Sequence, residues 1–163
     1  MNELLKKLPQ KAQSKLRDFK ITAAKVKKLK STAADKIFHQ LHEEAFDQID
    51  CLNCANCCSG LGPRLLKKDI ERLSSHLKMK TSELTDTYLR VDEDGDYVFQ
   101  SMPCPFLMGD NYCMVYSYRP KACREYPHTD QKNIRGILPE CLKNTETCPA
   151  VFYIFEKLPE ILP

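Results

Sequence analysis

Apolar positions near the N-terminus fall on one helical face. Ala12, Leu16, Phe19, Ala23 and Val26 recur at intervals of four and three within a lysine-rich stretch, which predicts an amphipathic helix. Pro9 is expected near an early boundary of that helix. In LKSTAADK, Ser31 or Thr32 is a candidate cap for a second helix that carries Ile37, Phe38, Leu41 and Ala45 and leads into Cys51. Further on, SGLGPR breaks regular structure, and Leu66, Ile70, Leu73 and Leu77 mark another helix. Thr81 is a candidate cap for a shorter helix through SELTDTYL. In LRVDEDGDYVFQ, Asp94 and Gly95 separate two strand-like runs as a hairpin turn. A second turn, MGDNY, lies between Cys104 and Cys113. Pro120 can start a helical turn carrying Cys123, and Pro149 can open a last helix whose apolar face is Val151, Ile154, Phe155 and Leu158. The expected fold class is α+β: a small helix-rich domain with short β-hairpins and an N-terminal helical arm.

Charge sharpens that division. Residues 1–37 hold 11 Lys+Arg and 3 Asp+Glu, a net of +8, whereas residues 38–163 hold 14 and 19, a net of -5. Every cysteine lies between Cys51 and Cys148. These two changes predict a basic helical arm over 1–37 and a metal-organised cysteine domain over 38–163. Such an arm can attract nucleic acid, an anionic membrane or an acidic partner. Its only aromatics within or beside it are Phe19 and Phe38, and it shows no groove-reading motif, so a solvated helix packed on its stripe is expected, with a protein partner ahead of nucleic acid or membrane. The segment MNELLKKLPQ lacks the apolar region and cleavage site of a signal peptide, and no apolar run is long enough to span a bilayer, so the cytoplasm is the expected location. There, nine cysteines point to metal ligands or catalytic thiols rather than disulfides.

The chemistry concentrates in CLNCANCCSG, residues 51–60. Cys51, Cys54 and Cys57 form C-x2-C-x2-C, which lets one looped backbone present three sulfurs to a single centre, as in a ferredoxin half-site. Cys58 follows directly; neighbouring cysteines cannot easily bridge each other, and in an extended backbone their side chains point to opposite sides. That predicts one centre based on Cys51, Cys54 and Cys57 and another that recruits Cys58. Cys104, Cys113, Cys123 and Cys148 are the distal candidates, so eight thiols are available for two sites of four. Cys104 and Cys148 each precede proline, as the remote ferredoxin ligand does. An iron–sulfur cluster is therefore the expected cofactor, with Zn2+ as the alternative, since zinc also accepts C-x2-C pairs with remote thiolates.

Several other polar residues have two uses open to them. His39, His42 and Glu43 could approach a metal from one helix or form a solvated face. His76 suits a helix surface, and His128 could support a thiolate ligand. Arg119 and Arg124 flank Cys123 and could either offset thiolate charge or bond carbonyl oxygens.

The ordered motifs CLNCANCC, PCPFL, YCMVYSYRPKACREYPH and CPAVF resemble the bacterial YkgJ-type cysteine-cluster family, also called the CxxCxxCC zinc- or iron-chelating domain, over about residues 45–155. The family's pattern falls on Cys51, Cys54, Cys57, Cys58, Cys104, Cys113, Cys123 and Cys148; Cys141 and the basic arm lie outside it. The resemblance implies a cytoplasmic protein with bound metal or an iron–sulfur centre, in an electron-transfer or accessory role. A zinc-stabilised protein-interaction module is the alternative. A similar cluster occurs in flagellin lysine-N-methylases, so a cluster-dependent methyltransferase is a further alternative. Against it, the chain has five glycines and no G-x-G run to cradle S-adenosylmethionine. Whether the chain is an enzyme stays open at this point.

Overall fold

The computed structural model describes residues 2–162. In chain order it contains α1 (Asn2–Lys28), α2 (Ser31–Phe46), α3 (Cys51–Cys54), α4 (Asn56–Gly60), α5 (Lys67–Leu77), α6 (Thr81–Tyr88), β1 (Leu89–Val91), β2 (Tyr97–Phe99), α7 (Lys121–Glu125), α8 (Leu138–Asn144) and α9 (Pro149–Ile161). Single 3-10 turns occur at Tyr116–Tyr118 and Ile134–Gly136. The architecture is helix-rich α+β, and the chain divides into two compact units: one runs through Cys54 and resumes at Pro127, the other is Ala55–Tyr126.

In the first unit α9 is the centre. It is apolar around much of its circumference, burying Ala150, Val151, Ile154, Phe155 and Leu158, and both α1 and α2 pack against it. The stripe predicted on α1 is what it buries: Ala12, Phe19, Ala23 and Val26, joined by Leu8, with Leu16 half-buried at the margin. Phe19 meets the rings of Phe152 and Phe155 at 5.5 and 5.4 Å between centroids, and Phe38 of α2 reaches Phe155 at 6.1 Å. Lys15 pairs with Glu156 above the same seam. Pro9 does not bound α1, which begins upstream of it. A proline inside a helix removes one amide donor, and here buried Leu8 next to it anchors the first turns.

The caps differ from expectation by one residue. Lys30, in extended conformation, is the N-cap of α2, and Ser31 is already helical. The Lys30 carbonyl accepts the first amide bonds, from Ala33 and Ala34 at 3.0 Å each. Likewise Lys80 precedes α6 and Thr81 is its first residue, with no side-chain cap at either helix. Asp35 of α2 is used elsewhere: its carboxylate accepts the Asn133 and Ile134 N–H groups at 3.0 and 2.9 Å, fixing the start of the 3-10 turn there.

In the second unit the core is Leu65, Ile70, Leu73, Leu84, Leu89, Phe99, Phe106 and Val115, with Cys104 and Cys113 packed against it. β1 and β2 pair antiparallel with Leu89 opposite Phe99 and Val91 opposite Tyr97. The hairpin turns where DEDGD predicts: Gly95 has φ +83°, and the Asp92 carboxylate accepts the Asp94 and Asp96 N–H groups at 3.1 and 2.9 Å. MGDNY also closes a turn, with Leu107 bridged to Cys113 and the Met108 N–H donating to the Tyr112 carbonyl at 2.8 Å. Among the described residues, no helix is long and apolar enough to cross a membrane.

Candidate metal centre

Four thiols of the Ala55–Tyr126 unit are linked by a relay of backbone hydrogen bonds. The Cys104 N–H donates to the Cys58 carbonyl at 2.8 Å, which holds the PCP segment against α4. The Cys104 carbonyl accepts from Leu107 at 3.0 Å, and Leu107 is the bridge partner of Cys113. The Cys113 carbonyl in turn accepts from Tyr116 at 3.1 Å, opening the 3-10 turn that leads to Arg119 and Pro120. Pro120 is the N-cap of α7, and its carbonyl accepts the Cys123 N–H at 3.0 Å. Short polar and proline-rich segments thus bring cysteines from distant parts of the chain to one neighbourhood.

The same four thiols act on one another through their charges. Burial pushes the Cys104 thiol up to about 11, assisted by the charges of Cys58 and Cys113. Burial pushes Cys123 up to about 12, with Cys58, Cys104 and Cys113 all adding to the rise, and it raises Cys113 in the same way. Cys58 moves the other way, down to about 7, chiefly because the Cys57 thiol lies 3.9 Å from its sulfur as a hydrogen-bond partner, with Arg119 contributing. Arg119 favours the thiolate at Cys58, Cys113 and Cys123 alike. Its side chain is fully held: Nε donates to the Tyr116 carbonyl at 2.7 Å, and the guanidinium lies 3.5 Å over the Tyr116 ring. Carbonyl bonding, one of the two uses open to Arg119, is realised, and its charge lies within reach of the thiols. Arg124 instead donates to the Arg119 carbonyl at 3.1 Å.

The extended geometry expected for Cys57 and Cys58 is not what the chain adopts. Both lie on the single turn of α4, started by buried Ala55 in the left-handed region at φ 47°. Helical backbone places successive side chains on adjoining rather than opposite sides. That is why their sulfurs are neighbours.

The other unit carries Cys51 and Cys54 on α3 and Cys148 at the N-cap of α9. Asp50 organises α3: its carboxylate accepts the Leu52 N–H at 2.9 Å and the Asn53 side-chain amide at 2.8 Å, and its carbonyl accepts the Cys54 N–H at 3.0 Å. Burial pushes Cys148 up to about 12, opposed by the Val151 and Ala150 N–H groups at the start of α9, and the charges of Cys51 and Cys54 act on it. Cys141, on α8, is wholly buried, and burial pushes it up to about 12; no other thiol figures among the causes.

Cys58, Cys104, Cys113, Cys123, Cys141 and Cys148 are free thiols. Among the described residues, no three Cys, His, Asp or Glu side chains are gathered closely enough to hold one ion as they stand. What supports a metal is the donor chemistry: soft thiols grouped within electrostatic reach, with a guanidinium available to offset their charge. The histidines serve elsewhere. His39 Nε2 lies 2.9 Å from the Gln131 carbonyl oxygen, and His42 Nδ1 lies 2.8 Å from Thr129 Oγ1, so α2 is tied to the 129–131 segment. His76 is exposed and stacks on Tyr118 at 3.9 Å, and His128 Nδ1 is 2.9 Å from the Gln131 amide. The residues that the motif search missed are Asp69 and Arg72, which read as ordinary helix-surface charges. Asp69 sits at the third position of α5, where an acidic residue serves helix capping, and that is the one signal available for it.

The chain belongs to the family described as "Putative zinc- or iron-chelating domain", whose CxxCxxCC pattern matches residues 50–149. That membership supports a metal-binding protein with a zinc or iron cofactor. No curated protein and no solved structure matches the chain.

Proposed function

We propose that the chain holds two thiolate metal centres, one on Cys58, Cys104, Cys113 and Cys123 and another that draws on Cys51, Cys54 and Cys148, and that iron–sulfur is the cofactor. The observation that carries the proposal is the backbone bonding that joins Cys104 to Cys58 and, through Leu107, to Cys113, with mutual charge effects extending the set to Cys123. Four thiolates are the complement that a cubane cluster or a structural zinc takes. The ferredoxin-like spacing and the Cys-Pro dipeptides favour iron–sulfur. When bound, such a centre supplies one-electron transfer, which suits an electron-transfer or accessory role in the cytoplasm. The residues' own contribution is to gather donors, exclude water around Cys123 and Cys148, and balance charge through Arg119.

A second reading is a zinc-stapled protein-interaction module. It is favoured by the wide chain separation of Cys58, Cys104, Cys113 and Cys123, which ties together segments with little regular structure.

Anaerobic purification with metal and sulfide analysis separates the two. Iron with acid-labile sulfide supports the first; stoichiometric zinc without sulfide overturns it. On the same preparations, Cys54→Ala and Cys58→Ala are expected to remove different parts of the metal complement. Loss of one identical species from both would defeat the two-centre proposal.

A further inference from the structure

We propose that Asp69 and Arg72 of α5 are positioning residues for the thiolate centre of the Ala55–Tyr126 unit: they lock the Tyr118–Lys121 segment so that the Arg119 charge and the Cys123 helix are presented to the sulfur ligands. The inference rests on the metal-centre reading above.

The argument begins with burial. Asp69 is 2% exposed, an unusual place for a carboxylate on a helix that is otherwise solvated on one side. Its two oxygens serve the starts of two helices. Oδ2 accepts the Leu66 N–H at 3.0 Å, closing the N-terminus of α5, and Oδ1 accepts the Lys121 N–H at 3.0 Å, the first residue of α7. The same Oδ1 takes Arg72 Nη2 at 2.8 Å. That Nη2 reaches onward to the Arg119 carbonyl at 2.6 Å and lies 3.5 Å from the Tyr118 carbonyl.

A pair of this kind is a poor way to gain stability, because taking the carboxylate and part of the guanidinium out of water costs much of what their attraction returns. What the pair adds is direction: a carboxylate aimed at one amide and a guanidinium aimed at one carbonyl fix the path of the chain on both sides of Pro120. Upstream of that proline stands Arg119, whose side chain is folded back on Tyr116; downstream is the turn that carries Cys123. The Arg119 charge acts on Cys58, Cys113 and Cys123, so a shift of this segment alters both the position of one ligand and the charge balance of the set.

The test uses the full chain loaded anaerobically with Zn2+ and challenged with a chelator, following release of each metal equivalent and thermal stability. In Asp69→Asn one equivalent is expected to leave at least about tenfold faster, the range in which partners behind metal ligands act, while the other leaves at the wild-type rate. Arg72→Lys keeps a charge beside Asp69 but loses the Nη2 bond to the Arg119 carbonyl, and it is expected to show the same selective loss. It decides the matter should Asp69→Asn fail to fold. Leu84→Ala is the control, since Leu84 is fully buried in the same unit and has no part in the network. The proposal is overturned if Leu84→Ala, matched for loss of thermal stability, speeds release as much as the α5 variants do. Release at the wild-type rate from both α5 variants overturns it too. Should Cys123→Ser retain the full metal content, the metal-centre reading itself fails and this proposal with it.

Discussion

Cys54 and Cys141 carry the same functional group in opposite surroundings. Cys54 stands on the short helix that Asp50 shapes and acts electrostatically on Cys148, whereas Cys141 is sealed inside α8 with no thiol among its influences. A thiolate ligand couples metal binding to folding, so Cys54→Ser is expected to lower both metal content and thermal stability. Cys141→Ser is expected to keep its metal and lose about 1–3 kcal/mol, the cost of burying a hydroxyl without a good partner. Equal metal loss in the two variants would show that Cys141 is a ligand. At this scale the cysteine pattern identifies the family and is a poor guide to which side chains become neighbours. The cysteine spacing predicts a looped backbone where the chain forms α3 and α4, and nothing in the spacing shows that Cys57 and Cys58 share a helical turn. Asp69 and Arg72 are invisible for a related reason: their importance comes from bonds to residues 46 to 52 positions away.

At the scale of the element, periodicity is what makes α1, α2, α5 and α9 legible, because a buried stripe must repeat with the helix. The capping residues were legible only to within one position, since a backbone already closed by the Lys30 carbonyl leaves Ser31 nothing to cap. The partner of the α2 histidines could not be read from their spacing, which suits a ligand pair and a solvated face equally. The contact between His42 and Thr129 has a consequence for pH. Burial holds the His42 imidazole below its usual range, opposed by the charges of Asp130 and Glu43 and reinforced by His39. A base whose folded pKa is depressed contributes stability that is present above its unfolded value near 6.5 and lost as pH falls through the folded value. Thermal stability of the chain is therefore expected to fall on acidification below about pH 6.5, and His42→Gln, which cannot titrate there, should flatten part of that fall. An unchanged acid slope in the variant, followed by circular dichroism across pH 7.5 to 5.5, would remove His42 from the account.

On the scale of the whole molecule, the two units are expected to depend on metal to different degrees. The first has long helices that meet through Phe19, Phe38, Phe152 and Phe155, an apolar core that leans on metal less. Between Gln100 and Pro120, by contrast, the second unit is largely turns, held by a few backbone bonds and the packing of Phe106 and Val115. Metal binding must also work against the thiols' own preference. With Cys104 pushed up to about 11 and Cys123 to about 12, the free donors are protonated at neutral pH, so loading displaces protons and affinity falls as pH is lowered. Titrating Zn2+ into the metal-free chain in weakly buffered solution is thus expected to release protons. Hydrogen exchange after chelation is expected to show lost protection across residues 100–126 while α1, α2 and α9 keep theirs. The pattern follows from where apolar burial already suffices. A uniform loss of protection along the chain, or metal uptake without proton release, would mean that the thiols of the Ala55–Tyr126 unit do not hold the metal.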